Sequence, residues 1–412
     1  MKEKKLFYGW YVVFASFIML AASIGIGWNG ISPLIKPICE DMGYTRPQVA
    51  MCQTVLYGGY LVLCLLSGKI FKAFSMKALL KVGTFIMPIS WIIFSRANSL
   101  FMFYLAIAIS TVGVFCVGMM PVSIILGNWF HEKTGFVIGM TFMGSGFGGM
   151  CFNSLTGILT ENFGWRVCVF VMAIIMLVLI FPCAWFVIKI HPAEMGLKPL
   201  GDRDDTPAES AAPTVQLTGY TLQECYRLPK FWLVCLVIIL NTMPANNSLY
   251  LISPHLSDLG YSLTFAANMS AIAMGSMALG KFALGILHDK LGVRGACCLA
   301  TFSGFVAMVG LYFTKNPIFL VFVFLGVALS PSFGSVSLPL LSKACFGEKD
   351  HGAIYGVISA VSSLGGMFVP MISNLMFEAL GSYNLVFILC GALALSASLG
   401  FFLVLPSKTK EN

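Results

Sequence analysis

The chain has 412 residues, of which 58% are hydrophobic and only 10% charged, and its formal net charge is +8. Soluble domains carry about 25% charged residues. The composition therefore excludes an ordinary water-soluble protein and indicates that lipid surrounds most of the chain. The 13 cysteines lie almost entirely in apolar stretches, which favours packing roles over a disulfide framework.

Apolar segments long enough to cross a hydrocarbon core of ~30 Å recur along the whole chain. We count twelve, at about 9–31, 48–71, 78–95, 99–126, 135–160, 166–188, 231–253, 263–287, 295–313, 317–341, 352–377 and 383–405. The sequence therefore predicts an all-α integral membrane protein with twelve transmembrane helices. The first segment follows a basic stretch but has no clear small-residue cleavage site, so we expect a retained helix rather than a signal peptide.

One long polar stretch interrupts the apolar segments. It covers 189–229 and is rich in Pro, Ala, Asp and Glu, as is typical of linkers. The predicted organisation is an N-terminal six-helix bundle at 1–188, a cytoplasmic linker at 189–229 and a C-terminal six-helix bundle at 230–412.

The basic residues are distributed unevenly between the two sides. If the N-terminus is cytoplasmic, the loops on its side and the two ends hold 19 of the 25 Lys and Arg residues, and the opposite loops hold five. This is the positive-inside pattern. It predicts a multi-pass protein of the plasma (inner) membrane with both termini in the cytoplasm. It also explains the positive charge without a nucleic-acid partner.

The two halves form an internal repeat with an offset of 217 residues. This offset aligns DMGYT at 41–45 with DLGYS at 258–262 and pairs Gly68 with Gly285. Parallel repeats predict two bundles related by an axis along the membrane normal. In such proteins the substrate lies near the midplane, and its access alternates between the two sides.

The stretch from Gly285 to Arg294, GILHDKLGVR, is predicted to be the loop between the eighth and ninth segments. It resembles the G-x-L-x-D-[RK]-x-G-x-[RK] signature of the major facilitator superfamily. The first-half counterpart at 68–77, GKIFKAFSMK, has Lys72 where the signature has an acid and Ser75 where it has glycine. The resemblance implies conformational-gating roles for Gly68, Lys72, Lys77, Gly285, Asp289, Lys290, Gly292 and Arg294.

A looser resemblance narrows the family. FYGWYVV at 7–13, NWF at 128–130 and the glycine-rich fifth and eleventh segments are similar to the oxalate/formate antiporter and monocarboxylate transporter group. The glycine-rich run GSGFGG at 144–149 also fits the dinucleotide pattern G-x-G-x-x-G. It lacks the strand which that pattern requires, so we predict close helix packing there instead.

A polar and aromatic stripe marks one face of the second segment. Positions i, i+4, i+7 and i+11 share a helix face, and here they are Gln53, Tyr57, Tyr60 and Cys64. The repeat offset carries this stripe to Ser270, Met274, Met277 and Lys281. With polar residues from other segments, the predicted substrate-binding residues are Lys281, Gln53, Tyr57, Tyr60, Trp28, Asn29, Asn246, Asn247, Tyr250, Met277, Ser332, Ser359 and Ser362.

These residues also have structural alternatives. Gln53 and Tyr57 could form hydrogen bonds between helices, and Asn29 and Asn246 could satisfy backbone groups near Pro33 and Pro244. Trp28 and Tyr250 could be interfacial anchors, and the methionines could serve in packing.

Lys281 is the main candidate for a substrate anchor. A charge at membrane depth costs ~3 kcal/mol on insertion scales, and no Asp or Glu lies deep in a predicted segment. The resemblance implies an anion anchor, because anion-transporting relatives place an arginine in the same G-[RK]-x-x-x-G-x-L-x-D context. The alternative is a structural lysine that snorkels to the interface. The eleventh segment has no second cation at 355–368, which favours one negative charge per substrate.

The sequence thus predicts a secondary active or exchange transporter of small organic monoanions, in particular monocarboxylates. Two alternatives stay open: a neutral or amphipathic substrate with a structural Lys281, and a non-transporting membrane sensor of the same fold. Coupling to a proton or to a counter-anion also stays open. We find no P-loop and no clustered nucleophiles, acids or metal ligands. We therefore expect no enzyme activity, cofactor or metal, and the expected partners are an organic anion and the lipid bilayer.

Overall fold

The computed structural model describes residues 7–201, 219–261 and 263–405, and these ranges are almost entirely helical. The helices are α1 (Gly9–Gly25), α2 (Ile35–Met42), α3 (Arg46–Ala73), α4 (Met76–Ser95), α5 (Leu100–Val117), α6 (Met119–Trp129), α7 (Thr134–Phe163), α8 (Trp165–Pro182), α9 (Leu222–Tyr226), α10 (Pro229–Tyr250), α11 (Ile252–Asp258), α12 (Leu263–Tyr312), α13 (Leu320–Leu329), α14 (Leu338–Phe346), α15 (His351–Leu380) and α16 (Asn384–Val404). The prediction of an all-α membrane protein is confirmed.

Within the described residues, ten helical stretches are long and apolar enough to cross a membrane, and Gly9–Gly25 is a shorter apolar helix. One of the ten, Asn268–Tyr312, is interrupted at Gly292, whose φ of 72° and ψ of 176° are not helical. Glycine adopts this backbone conformation without the steric penalty of a Cβ atom. Counted as two helices at this break, the stretches fit the twelve predicted segments.

The structure corrects two of the predicted segment boundaries. The predicted loop at 285–294 is helical except at Gly292, because one glycine with a positive φ is enough to turn the chain. The predicted helix at 99–126 is in fact two helices, since Gly118 lies between α5 and α6 in an extended conformation with φ −87° and ψ −154°.

The described residues divide into two compact units. The first unit contains 7–63 and 67–201, and the second contains 64–66, 219–261 and 263–405. We describe each unit separately.

In the first unit, glycines allow α1 and α7 to pack closely. A Cβ atom at Gly148 would overlap the backbone of Ala21, and one at Gly144 would lie 2.5 Å from the carbonyl oxygen of Phe17. The run at 144–149 lies inside α7, so it has the packing role predicted for it. Such small-residue contacts are characteristic of helices that associate in lipid.

In the second unit, α12 packs against α13 and α16 around a buried apolar cluster. Ala307, Val323 and Phe387 belong to this cluster. Nearer the middle of the unit, Gly280 meets the backbone of Ala328 so closely that a Cβ atom would overlap its carbonyl group. The contact fixes where the 263–291 part of α12 crosses α13.

The two described ends of the predicted linker are anchored at repeat-equivalent positions. In the first unit Leu200 forms a β-bridge with Phe130, and in the second Gly219 forms one with Gly347. Phe130 and Gly347 are related by the repeat offset of 217 residues. In each unit, we call the end that holds this bridge the linker end and the opposite end the outer end.

Candidate functional site

Lys281 lies on the buried face of the 263–291 part of α12. Its side chain is 5% exposed, and Leu284 on the same face is fully buried. Leu279, on another face, is 67% exposed. The lysine predicted as the substrate anchor is therefore on the interior side of its helix.

The backbone around Lys281 is fixed by contacts with α13 and the turn that follows. Gly280, the preceding residue, packs on Ala328. The hydroxyl of Ser332 donates to the carbonyl oxygen of Ala328 at 2.7 Å and approaches that of Met277 at 3.3 Å. Ser332 is followed by a π-helical turn, Phe333–Ser337. Such turns occur frequently at functional sites.

Two of the predicted serines on α15 belong to the same unit. Ser359 is buried, and its carbonyl oxygen accepts a hydrogen bond from the hydroxyl of Ser363 at 2.9 Å. The hydroxyl oxygen of Ser362 would lie 3.9 Å from a Cβ atom at Gly334. Ser362 therefore faces the π-helical turn that follows Ser332.

The predicted residues of α10 are mostly engaged in helix contacts. Asn247 is fully buried, lies 3.4 Å from the sulfur of Cys390 and accepts a hydrogen bond from Ser373 at 3.0 Å. Asn246 donates within its own helix to the carbonyl oxygen of Thr242 at 2.8 Å. These contacts connect Asn247 to α15 and α16 and Asn246 to a backbone group of its own helix.

In the first unit, three predicted residues form an aromatic cluster, which consists of Trp28, Tyr57 and Tyr60. The ring centroid of Trp28 lies 4.9 Å from that of Tyr57 and 5.2 Å from that of Tyr60, and both contacts are edge to face. Asn29 is next to this cluster in sequence and faces Gly149, whose Cβ would lie 3.1 Å from the amide nitrogen. The cluster combines a large apolar surface with phenol and indole polar groups.

The remaining predicted substrate residues are more scattered. Gln53 is half-buried on α3, one turn before Tyr57. Tyr250 is 43% exposed at the end of α10. Met277 packs against the apolar cluster of the second unit, in agreement with its packing alternative.

The predicted gating residues have different surroundings in the two units. In the first unit, Lys77 pairs with Glu194 at 3.6 Å, and Lys72 is exposed. Partial burial opposes ionisation of Glu194, but hydrogen bonds from the backbone of His191 and Ile190, together with Lys77, hold the pKa of its carboxyl below the ordinary value. The start of the linker thus supplies a carboxylate to Lys77.

In the second unit, the predicted gating residues follow Gly285 along α12. Asp289 is half-buried and Lys290 is exposed. Arg294, just after the break at Gly292, places its guanidinium 3.9 Å from the centroid of the Phe402 ring. This cation–π contact ties the end of the signature to α16.

Sequence reasoning missed His288, which lies in the predicted loop at 285–294. The side chain is 6% exposed, and its Nε2 shares a 2.8 Å hydrogen bond with the hydroxyl of Ser337. The signal that could have found it was the stripe itself, because His288 follows Lys281 by seven residues. Among the residues described, we find no group of three or more His, Cys, Asp or Glu that could hold a metal ion.

Membrane-length helices in two sequence-related units define a polytopic membrane protein of the two-repeat transporter class. The family model of the Major Facilitator Superfamily matches residues 17–345. The chain belongs to this superfamily, and it is accordingly a transporter rather than an enzyme.

Two relatives show the range of the sequence similarity. Monocarboxylate transporter 13 of Rattus norvegicus is 24% identical over 329 residues, which cover 79% of this chain and 72% of the relative. The hexuronate transporter of Bacillus subtilis is 23% identical over 412 residues, which cover 93% of this chain and 92% of the relative.

Solved structures support the same fold. The proton:xylose symporter XylE matches with a TM-score of 0.80 at 16% identity and covers 98% of this chain and 97% of its own. FucP in an outward conformation matches with a TM-score of 0.71 at 15% identity and covers 96% of this chain and 99% of its own. At these identities the likeness concerns the fold.

Proposed function

We propose that this transporter carries small organic monoanions, in particular monocarboxylates, by alternating access, and that Lys281 binds the carboxylate. The observation that carries the proposal is the 5% exposure of Lys281 on the interior side of its helix. A lysine that snorkels to lipid phosphates would have to reach the surface of the protein. The burial therefore supports the anchor over the snorkelling alternative.

The energetics also favour an anion as the ligand. An ammonium at membrane depth costs ~3 kcal/mol on insertion scales, and a bound carboxylate offsets part of that cost through a charge-assisted hydrogen bond. Lysine offers a compact charge without the two-pronged geometry of arginine. A single carboxylate fits it better than a dicarboxylate that needs two cations.

The other predicted residues supply the remainder of the proposed site. In the first unit, the aromatic cluster of Trp28, Tyr57 and Tyr60 is proposed to contact the apolar part of a substrate, and its polar groups can bind hydroxyls. In the second unit, Ser332 and Ser362 are proposed to contribute hydroxyls. Gln53, Asn29, Asn246, Asn247, Tyr250, Met277 and Ser359 complete the proposed set.

The names of the relatives support a carboxylate. Monocarboxylate and hexuronate transporters are both named for carboxylate anions. The second candidate is a neutral sugar, because the structural neighbour XylE is titled a proton:xylose symporter. A buried lysine favours the first candidate, because an ammonium forms a charge-assisted hydrogen bond with a carboxylate and only an ordinary one with a neutral sugar.

The basic residues and the gating residues define the proposed orientation. The linker end of each unit is proposed to face the cytoplasm, with both termini there and the protein in the plasma (inner) membrane, because the loops and ends that the sequence assigns to that side hold 19 of the 25 Lys and Arg residues. The signature residues Gly68, Lys72, Lys77, Gly285, Asp289, Lys290, Gly292 and Arg294 are proposed to control conformational change at this end.

Uptake and counterflow in proteoliposomes test the proposed substrate. The panel contains radiolabelled lactate, glucuronate, oxalate and xylose. We expect flux of one or both monoanions and little flux of oxalate or xylose. For Lys281→Ala we expect uptake to fall by about tenfold or more, as for the loss of a charge-assisted contact. Lys281→Arg keeps the charge and should retain part of the activity.

Lys315→Ala is the matched control, because Lys315 is exposed and lies outside the proposed site. It should transport like the parent. If Lys281→Ala also transports like the parent, the anchor is wrong. Flux of xylose alone would favour the neutral substrate, and binding of an anion without any flux would indicate a sensor.

A further inference from the structure

His288 forms a buried polar contact between two helices of the second unit. Its Nε2 and the Ser337 hydroxyl lie 2.8 Å apart. Its Nδ1 is buried and finds no hydrogen-bond partner in the part of the chain that the structure describes. A buried imidazole with one of its nitrogens unsatisfied carries a desolvation cost, so this contact calls for an explanation beyond simple packing.

The contact acts on the helix face that carries the proposed anchor. Seven residues correspond to about two helical turns, so His288 and Lys281 lie on the same face. Leu284 and Gly285, between them, are buried, whereas Leu279 is exposed. Any rotation of the helix that moved His288 away from Ser337 would also move Lys281.

Two contacts thus hold the helix on either side of Lys281. On the side towards the outer end, Gly280 packs on the backbone of Ala328. On the side towards the linker end, His288 bonds to Ser337, the last residue of the π-helical turn. A helix held at one point can still rotate or tilt, whereas contacts at two points define both its rotation and its depth.

The first repeat shows that the fold does not require a polar pair here. The counterpart of His288 at the 217-residue offset is Phe71. Phe71 stacks on Phe115 with a centroid distance of 5.7 Å. An apolar residue can therefore fill this position in the same architecture, without the desolvation cost of the imidazole.

We propose that His288, through Ser337, is a positioning residue for Lys281 that fixes the rotation and depth of the helix presenting the ammonium to the carboxylate. The inference rests on the proposed function, since it takes Lys281 to be the anion anchor. The directional hydrogen bond specifies one arrangement of the helix, whereas apolar contacts tolerate several. The role requires only a hydrogen-bonding group at the position of Nε2.

The experiment measures KM and maximal uptake rate for the transported monoanion in proteoliposomes. His288→Gln keeps an amide near the position of Nε2, whereas His288→Phe introduces the residue of the first repeat and Ser337→Ala removes the hydroxyl. We expect the Phe and Ala variants to raise KM by about tenfold while the maximal rate stays within about twofold. The Gln variant should stay within about threefold of the parent KM, because it can still bond to Ser337.

Combining the two disruptive changes tests whether the residues act as a pair. The double variant His288→Phe with Ser337→Ala should be no worse than His288→Phe alone, since both remove the same contact. Ser303→Ala is the matched control. Ser303 is a buried serine of the same unit whose hydroxyl bonds to the carbonyl oxygens of Ala300 and Gly326, so its loss should leave KM unchanged.

A merely structural role would appear as a reduced maximal rate or a lower melting temperature with an unchanged KM, and this would overturn the proposal. A Gln variant as impaired as the Phe variant would also overturn it. Ser337→Ala removes one hydroxyl only, so the test does not depend on whether His288→Phe folds. If Lys281→Ala abolishes uptake while both disruptive variants keep the parent KM, only the positioning role fails. If Lys281→Ala has no effect, the proposed function itself fails.

Discussion

Each unit has contacts of its own that stabilise its outer end. These contacts occur at similar places in the two repeats but differ in their chemistry. In the first unit, Asp41 of α2 accepts hydrogen bonds of 2.9 Å from both Trp165 and Arg166, and Arg166 also donates to the carbonyl oxygen of Ala97 and to Asn98. The ion pair is partly exposed, with 38% of the Arg166 side chain and 52% of the Asp41 side chain accessible. This junction is therefore a charged network in contact with solvent.

The second unit uses a buried, uncharged group at the corresponding junction. His255 of α11 donates through Nε2 to the carbonyl oxygen of Leu311 at 3.1 Å and lies 3.0 Å from the hydroxyl of Thr314. Its ring packs edge to face on Phe387 at 4.8 Å. The repeat offset relates Thr314 to Ala97 of the first unit. Each junction thus connects the short helix that follows the first long helix of its unit, α2 or α11, to the repeat-equivalent loop that contains Ala97 or Thr314.

The same contrast occurs at membrane depth. The offset relates Lys281 to Cys64 and His288 to Phe71. Lys281 and His288 of the second repeat both have buried polar side chains. In the first repeat, the counterpart of His288 is Phe71, which stacks on another aromatic ring. The comparison indicates that the repeats share an architecture, while the buried Lys and His side chains among the described residues, His255, Lys281 and His288, belong to the second.

The largest effect is expected where the two units are alike, at their close helix contacts. Gly148→Val in the first unit and Gly280→Val in the second place side-chain atoms on the backbone of Ala21 and Ala328 respectively. Each should destabilise the protein by about 3 kcal/mol or more, because backbone cannot move aside as a flexible side chain can. Size-exclusion profiles and thermal unfolding in detergent would measure this loss.

Gly157→Ala and Gly275→Ala are the controls, because a Cβ at either position meets nothing within 4 Å. Both should behave like the parent. If the Gly280→Val protein is as stable as the parent while the Gly148→Val protein is destabilised, the units differ in packing as well as in chemistry.

The architecture could be predicted from the sequence because apolar length and repeat spacing are strong signals. The end of α5 at Gly118 and the continuation of α12 to residue 291 could not be predicted. Each depends on the backbone conformation of a single glycine, Gly118 in the first case and Gly292 in the second. The stripe placed Lys281 on one face, and its burial agrees with that. The bond from His288 to Ser337 depends on how α12 crosses α13 and on a π-helical turn, and neither follows from periodicity. The contacts of the predicted Asn247 with Ser373 of α15 and Cys390 of α16 could not be predicted either, because they depend on how these helices pack.

The second-largest effect is expected from acid, and it should separate the two outer junctions. Burial lowers the pKa of His255 below its ordinary value of 6.5, although the bond to Leu311 and the nearby Asp258 oppose this. A lowered pKa means that the unfolded form binds the proton more readily, so this stability is present above about pH 6.5 and is lost as the pH falls below it. For Asp41, hydrogen bonds from Arg166 and then Trp165 lower the pKa from 3.8, so its stability is lost only below about that pH.

Hydrogen–deuterium exchange at about pH 7.5 and pH 5.0, corrected for intrinsic rates, would test this difference, since the interval spans the ordinary histidine pKa of about 6.5. We expect severalfold faster exchange in α11 at the lower pH and little change in α2. His255→Gln keeps a donor towards Leu311 without a titratable ring, so it should remove the acid effect in α11. Equal acid sensitivity of α2 and α11 would contradict the proposed difference between the junctions.

The smallest effect is expected at the linker ends, where the units are again comparable but one contact is an exposed ion pair. Glu194→Gln removes the charge that Lys77 contacts at 3.6 Å in the first unit. In the second unit, Asp350→Asn weakens the acceptor for the backbone N–H of Leu222 at 3.2 Å. Exposed ion pairs contribute about 0–1 kcal/mol and are screened by salt, so Glu194→Gln should lower the free energy of unfolding by less than about 1 kcal/mol.

Salt separates the two linker-end contacts. The destabilisation by Glu194→Gln should shrink as NaCl is raised from about 0.05 to 0.5 M, since the Debye length then falls below about 5 Å. The effect of Asp350→Asn, which alters a hydrogen bond to the backbone, should depend less on salt.

Transport kinetics of Lys77→Ala test the gating role of Lys77. A changed maximal rate at nearly unchanged stability supports gating by Lys77. An unchanged rate would leave the ion pair as a surface contact that only anchors the start of the linker.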